Sequence, residues 1–149
     1  VQLASSYIAI QQLRYKSRAE FTLTVSGDLE QWTLPHFTLQ PLIENAIHYG
    51  VEDSDTVCRI HVTAQAQDDA LTLIVHNTGT PVEPKRLDEI RAFTIKPQGH
   101  GIGLKNIYER LSMLYQDFGF DFDSDATGTT VRILLRQSNL KAQNLPSDA

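Results

Sequence analysis

The chain has 149 residues, 41% of them hydrophobic, with 13 Lys and Arg against 18 Asp and Glu for a formal net charge of −5. That is enough apolar material for one domain with a real core, and the acidic balance excludes a general attraction to nucleic acid or anionic membrane surfaces. The single cysteine, Cys58, excludes an internal disulfide framework, and no run of eighteen or more apolar residues is present to span a bilayer.

In chain order, Leu3, Tyr7, Ile8, Ile10, Leu13 and Tyr15 predict a loosely amphipathic first helix, ending before a basic cluster at Arg14–Arg18. Phe21, Leu23 and Val25 alternate with Thr22, Thr24 and Ser26 as a strand, and Gly27-Asp28 turns the chain. Leu39, Leu42, Ile43, Ala46 and Ile47 form the stripe of a helix packed on a core, stopping at Gly50 in the left-handed conformation common past helix ends. Cys58, Ile60, Val62, Ala64 and Ala66 mark one face of a strand, joined through Gln67–Ala70 to a partner carrying Leu71, Leu73 and Val75. Asn77–Pro81 is a loop by composition, Pro84 starts a short helix through about Ala92, and Phe93–Gly101 reads as a mobile loop. Leu104, Ile107, Leu111 and Leu114 define another buried helix. Two strands close the order, one with Phe118, Phe120 and Phe122, one with Val131, Ile133 and Leu135.

Hairpins mixed with helices predict an α+β fold: a two-layer sandwich with a mixed, mainly antiparallel sheet and helices on one face. The boundaries are residues 1–18 as the end of an upstream helix or linker, 19–136 as the domain, and 137–149 as a disordered tail. The start at Val1, inside a helical pattern, reads as a piece of a longer protein.

Two segments set polar chemistry among apolar residues. In Leu39–Gly50, LQPLIENAIHYG, Glu44 and Asn45 interrupt an otherwise apolar helix, and a half-buried Asn without partners costs free energy. In Gly99–Asn106, GHGIGLKN, three alternate glycines allow a sharp turn that gathers backbone N–H groups, and the helix that follows aims its positive dipole end at the same place. Such a place suits phosphate. A dinucleotide fingerprint fits poorly because no predicted strand precedes the glycines, and no Gly-Lys-Ser/Thr exists for a Walker A loop.

Glu44-Asn45, Asn77-x-Gly79, the Gly99–Gly103 loop and Gly128-Thr129 follow the order and approximate spacing of the four boxes of the ATP-binding domain of sensor histidine kinases. This fold is shared with gyrase, heat-shock protein 90 and the mismatch-repair ATPases. LQPLIENAIHYG and GHGIGLKNIYERLSMLY resemble most closely the LytS-like kinases, including AlgZ-type sensors, and the resemblance covers about residues 1–136.

The resemblance implies Mg-ATP binding. Asn45 matches the asparagine that ligates Mg²⁺ at the nucleotide phosphates, which suits a hard cation and an amide oxygen. Glu44 is then a holder of metal-bound water or a proton acceptor, with a surface carboxylate as its alternative. His48 and Tyr49 fall where relatives carry a basic and an aromatic residue near phosphates and ribose, although simple surface packing serves His48 equally well. Asn77 stands where the superfamily has the aspartate that accepts from the adenine amino group; an amide oxygen still accepts, without the charge. Gly79 matches the glycine that lets backbone approach the base, while Pro81 replaces a second glycine and stiffens the loop. Gly99, Gly101, Ile102, Gly103, Leu104 and Lys105 make the phosphate cradle, with Lys96 flanking it, and Thr129 matches a residue that reaches adenine, often through water.

Pro41 occupies the place of the general-base glutamate of gyrase-type ATPases. Proline cannot activate water, which agrees with a kinase whose nucleophile is a histidine. Pro35-His36-Phe37 looks like the family's phosphoacceptor segment but lies directly before the metal-binding helix and lacks the Phe and Asn that should follow. The resemblance therefore implies a phosphoacceptor histidine on a dimerisation domain outside this chain. It implies further a homodimeric parent, a response regulator as partner, and a cytoplasmic domain of a bacterial inner-membrane protein. Two other readings fit the same residues: a non-catalytic ATP-binding module, and a stand-alone serine kinase of the anti-sigma-factor type.

Overall fold

The computed structural model describes residues 2–29, 32, 39–48, 50, 56–79, 82–85, 88 and 101–141, with the side chains of 2–5 and 101–104 left aside. Helix α1 is Gln2–Tyr15, followed by a 3₁₀ turn at Lys16–Arg18 and strand β1, Ala19–Ser26. Helix α2 is Leu39–Ile47, and strands β2, Cys58–Gln67, and β3, Ala70–Asn77, form a hairpin. Helix α3 is Gly101–Leu114, followed by β4, Gly119–Asp125, and β5, Gly128–Arg136.

The five strands form one sheet in the order β1-β2-β3-β5-β4. β1 runs parallel to β2, with Ala19 opposite Cys58 and Val25 opposite Ala64. The other three neighbouring pairs are antiparallel. Alternation along β2 buries Cys58, Ile60, Val62 and Ala64, and β3 buries Leu71, Leu73 and Val75 in register with them. Phe122, Val131, Ile133 and Leu135 extend this face, and Leu42, Ile43, Ala46 and Ile47 of α2 with Ile107 and Leu111 of α3 cover it. The opposite parity carries Glu20, Arg59, His61, Asp121, Asp123 and Arg132, all exposed. The sheet is therefore one-sided, an α+β sandwich with polar residues on its open face. The Arg59–Glu20 pair there, at 3.5 Å between well-exposed side chains, contributes little to stability.

Helix α1 is part of this domain, although composition separates residues 1–18 from it. Its apolar pattern divides: Tyr7, Ile8 and Tyr15 pack against the core, whereas Ile10 and Leu13 are 60% and 73% exposed. Gln12 does more than either group. Its Nε2 donates to Ala19 O at 2.8 Å and its Oε1 accepts from Phe21 N–H at 3.1 Å. One amide thus stands in for the missing neighbour of edge strand β1 and closes part of its ladder.

Three expectations are corrected. The first concerns the end of the chain: residues 137–141 are ordered, not a disordered tail. Gln137–Asn139 form a 3₁₀ turn, and Leu140 makes an antiparallel bridge with Tyr115. Lys141 N–H donates to Leu114 O at 2.8 Å, and Lys141 Nζ donates to Ser112 O at 2.6 Å. The last carbonyls of a helix lack partners within it, and this segment supplies them together with a positive charge. Second, α3 begins at Gly101, so the last residue assigned to the loop already belongs to a helix. Third, space rather than a left-handed backbone reserves position 50 for glycine, because a Cβ there would lie 2.3 Å from Cys58 Sγ. Pro84, Lys85 and Asp88 are helical as expected, while residues 93–100 of the expected mobile loop lie outside the described residues.

Cutting the chain after Arg136 should lower stability by about 1–3 kcal/mol, the order expected when buried helix-end carbonyls lose partners. Urea unfolding followed by circular dichroism measures this, and an unchanged midpoint would contradict the docking role of residues 137–141.

Candidate nucleotide site

Four apolar residues of α2, each at most 4% exposed, pin the helix to the sheet and carry Asn45 inward with them. Asn45 is itself 4% exposed, and its Oδ1 is buried with no hydrogen-bond partner. It is the one side-chain atom in that condition among the described residues. A buried acceptor without a partner costs about 1–3 kcal/mol, so its retention within a helix points to a ligand that completes it.

Glu44, one position earlier, is exposed. Its Oε1 accepts from Tyr7 Oη and from Gln40 Nε2, both at 3.3 Å. Burial first, and then the Glu44 charge, raise the Tyr7 phenol well above its ordinary pKa, so Tyr7 stays a donor. Helix α1 is thereby tied to the residue beside Asn45, while Glu44 Oε2 accepts nothing among the described residues.

A second set of polar side chains lies at one end of the sheet. Asn77 continues the inward alternation of β3, Thr129 that of β5 and Ser124 that of β4. The strand registers align them in one row, Asn77 opposite Thr129 and Thr129 opposite Ser124. Asn77 is 2% exposed and Thr129 1%. Asn77 Nδ2 donates to Thr78 O at 3.1 Å, which leaves its Oδ1 as the group to accept from a ligand. The same Thr78 O takes the Cys58 thiol at 3.4 Å, and Thr78 Oγ1 accepts from Arg59 N–H at 2.9 Å. Burial pushes the Cys58 thiol above its usual pKa, which makes it a packing group and not a nucleophile. Gly79 has φ 138° and Gly128 φ 129°, both in the region that favours glycine. A Cβ on Gly128 would lie 1.9 Å from Asn77 O, so the backbones around the row approach as only glycine allows.

Not every expected site residue can be placed. His48 is half-buried in the helical turn after α2, and Lys105 is exposed on α3. Gly101 and Gly103 stand in the first turn of α3, where backbone N–H groups have no intrahelical acceptor. Tyr49, Pro81, Lys96 and Gly99 lie outside the described residues, as do the side chains of Ile102 and Leu104. His36, within the Pro35–Phe37 segment, lies outside them too. Sequence reasoning missed Ser124, which accepts from Val82 N–H at 2.7 Å and lies 3.1 Å from Thr129 Oγ1. The signal was present, since Ser124 breaks an alternation begun by Phe120 and Phe122, but only the register shows what it stands beside.

A one-sided five-stranded sandwich, with a buried, uncompleted asparagine on α2 and a polar row at one end of its sheet, agrees with an ATP-binding domain. It belongs to the family of histidine kinase-, DNA gyrase B- and HSP90-like ATPases, whose model matches residues 32–139. Sensor histidine kinase YesM of Bacillus subtilis is 31% identical over 131 residues, 87% of this chain and 22% of YesM. Sensor protein LytS of the same organism is 28% identical over 113 residues, 74% of this chain and 19% of LytS. The chain thus spans about a fifth of the length of these relatives. The catalytic domain of histidine kinase ThkA superposes with a TM-score of 0.67 at 14% identity, covering 91% of this chain and 90% of that one, a likeness of fold. The chain is accordingly an ATP-binding domain of this family, similar in sequence to a segment of the sensor proteins YesM and LytS.

Gly128→Ala should destabilise the domain by about 2–4 kcal/mol, since both the positive φ and the contact with Asn77 O oppose a side chain. Urea unfolding measures the loss, and a cost below about 0.5 kcal/mol would mean that this approach is not as close as described.

Proposed function

We propose that this domain binds Mg-ATP through Asn45, the first turn of α3 and the Asn77–Thr129 row, and donates the γ-phosphate to a histidine outside this chain. The unpaired, buried Oδ1 of Asn45 carries the reading. It is a neutral hard oxygen, the donor type Mg²⁺ accepts when phosphates and waters supply the remaining ligands. Bound there, Mg²⁺ supplies neutralising charge to the phosphate oxygens.

The chain's own groups do the rest. Asn45 fixes the depth at which phosphates sit. Gly101 and Gly103 keep side chains away from the first N–H groups of α3, which donate to phosphate oxygens, and Lys105 adds positive charge near them. His48 and Tyr49 belong to the phosphate and ribose side, and Asn77, Gly79 and Thr129 hold the base. Glu44, anchored through Oε1, keeps Oε2 to hold a water of the metal's shell. Pro41 in α2 offers no base to activate water, which supports transfer to a protein nucleophile. Catalysis is then positioning and charge stabilisation.

The names of YesM and LytS support a sensor-kinase parent, and we propose that this parent dimerises through a domain outside this chain. ThkA has been seen in complex with the response regulator TrrA, which supports a response regulator as the eventual phosphate acceptor. Among the described residues no helix is long and apolar enough to cross a membrane. The sensor-kinase relatives support the proposal that this domain lies on the cytoplasmic side of a membrane-anchored parent.

Asn45→Ala should abolish Mg-dependent ATP binding in titration calorimetry while leaving stability unchanged or about 1 kcal/mol higher, because alanine removes an unpaired buried acceptor and favours the helix. Unchanged Mg-ATP affinity would sink the proposal. Glu44→Gln in the full-length parent should slow autophosphorylation at least about tenfold with ATP affinity within about threefold of wild type. An undiminished rate, measured with radiolabelled ATP, would remove Glu44 from the mechanism.

A further inference from the structure

Glu44 is exposed, yet its carboxylate is held by two donors of different origin. Gln40 Nε2 donates to Oε1 at 3.3 Å from one turn earlier in the same helix, so this bond travels with α2 wherever the rest of the chain stands. Tyr7 Oη donates to the same oxygen, also at 3.3 Å, from a helix 37 positions away. An ionised carboxylate only accepts, so the direction of both bonds is fixed. The hydroxyl is the part of Tyr7 that needs a reason. Its ring packs against the core with those of Ile8 and Tyr15 as neighbours in the helix, and a phenylalanine would fill the same space. The oxygen reaches the one charged residue of α2, which is also the residue beside Asn45. Helix α1 is in turn fastened to the sheet, through Gln12 at the edge of β1 and through Gln11, only 8% exposed.

From this juxtaposition we infer that Tyr7 is a positioning residue for Glu44, which makes the carboxylate beside Asn45 depend on the docking of α1. The inference rests on the nucleotide reading proposed above and on the place of Glu44 in it. With α1 docked, donors from two helices hold Oε1, and Oε2 is presented in one orientation. With α1 displaced, Gln40 alone remains, and the side chain regains the rotamers of an exposed glutamate. Asn45 and the first turn of α3 are untouched by that change, because Tyr7 bonds to neither. A group that supports a reaction from beside it is effective only when its own rotamer is locked by a neighbour. The position of α1 therefore sets the rate of phosphoryl transfer and leaves nucleotide affinity nearly as it was. Residues before β1 thus act on the site without touching its ligand.

The test is a double-mutant cycle on Tyr7→Phe and Glu44→Ala, read in two ways. On the 149-residue chain without nucleotide, Tyr7→Phe should raise the urea unfolding constant about three- to tenfold, but less than about twofold where Glu44 is already alanine. In the full-length parent, Tyr7→Phe should lower the autophosphorylation kcat about three- to tenfold, with KM for ATP within about twofold of wild type. In the Glu44→Ala background it should lower kcat no further. A tyrosine that only packs gives factors that multiply in both backgrounds, or moves KM, and either result overturns the inference. Coupling in unfolding with an unchanged kcat keeps the bond but denies it a positioning role, which overturns the inference too. Should Tyr7→Phe fail to fold, Glu44→Asp withdraws the carboxylate from Tyr7 with its charge kept, and a wild-type kcat there overturns it. A wild type that binds no Mg-ATP overturns the nucleotide reading as well. Glu44→Ala at the wild-type kcat removes Glu44 and Tyr7 together, whereas a slow Glu44→Ala beside an unimpaired Tyr7→Phe removes Tyr7 alone.

Discussion

The parallel pairing of β1 with β2 is the constraint on which the rest of the structure depends. Two antiparallel strands can be joined by a two-residue turn, but parallel neighbours need a connection that crosses the sheet. Residues 27–57 make that connection, and α2 is a helix within it. The apolar stripe of α2 then has one place to go, the inner face of β2 and β3, and burying it carries Asn45 into the interior. The second crossing, from β3 to β4, lays α3 beside α2 and sets its glycine-rich first turn at the helix end. Gln12, which completes the free edge of β1, protects the pairing from which this arrangement follows.

That arrangement gives up stability at one atom. Leu42, Ile43, Ala46 and Ile47 each gain by leaving water, on the order of 1.5–3 kcal/mol for the larger side chains. The unpaired Oδ1 of Asn45 returns part of this gain, and the helix remains because the apolar contributions outweigh it. The polar row at the end of the sheet follows the same logic by a different route. Asn77 and Thr129 are buried and Ser124 is half-buried, and hydrogen bonds within the row and to Thr78 and Val82 offset most of their desolvation. What remains open among the described residues is the Asn77 amide oxygen, the group that the proposed base would complete.

The replacement of an acidic residue by Asn77 is less of a departure than residue type alone suggests. A carboxylate accepts whichever way it turns, whereas an amide must be held with its oxygen forward. Thr78 O performs that task, and its own place is set by Thr78 N–H donating to Arg59 O and Thr78 Oγ1 accepting from Arg59 N–H. The proposed base contact would lose charge and keep direction. Gly50 and Gly128 belong to the same account, because each gives way where backbone and side chains crowd around Asn77.

Residue periodicity by itself determined the element order, the one-sided sheet and the membership of nearly every core position, because burial of apolar side chains imposes a period of two on strands and 3.6 on helices. Motif spacing singled out Asn45, Asn77 and Thr129, whose polarity at inward positions has no purpose in a plain core. Contacts between residues distant in the chain were decided only by the tertiary structure. Tyr7 meets Glu44 across 37 positions, Ser124 receives the N–H of Val82 across 42, and Lys141 caps α3 from 29 residues away. None of these leaves a periodic trace, since a single hydrogen bond needs one residue at one place. Composition therefore assigned residues 137–141 to a tail and residues 1–18 to a linker, and only the packed chain shows both holding the domain together.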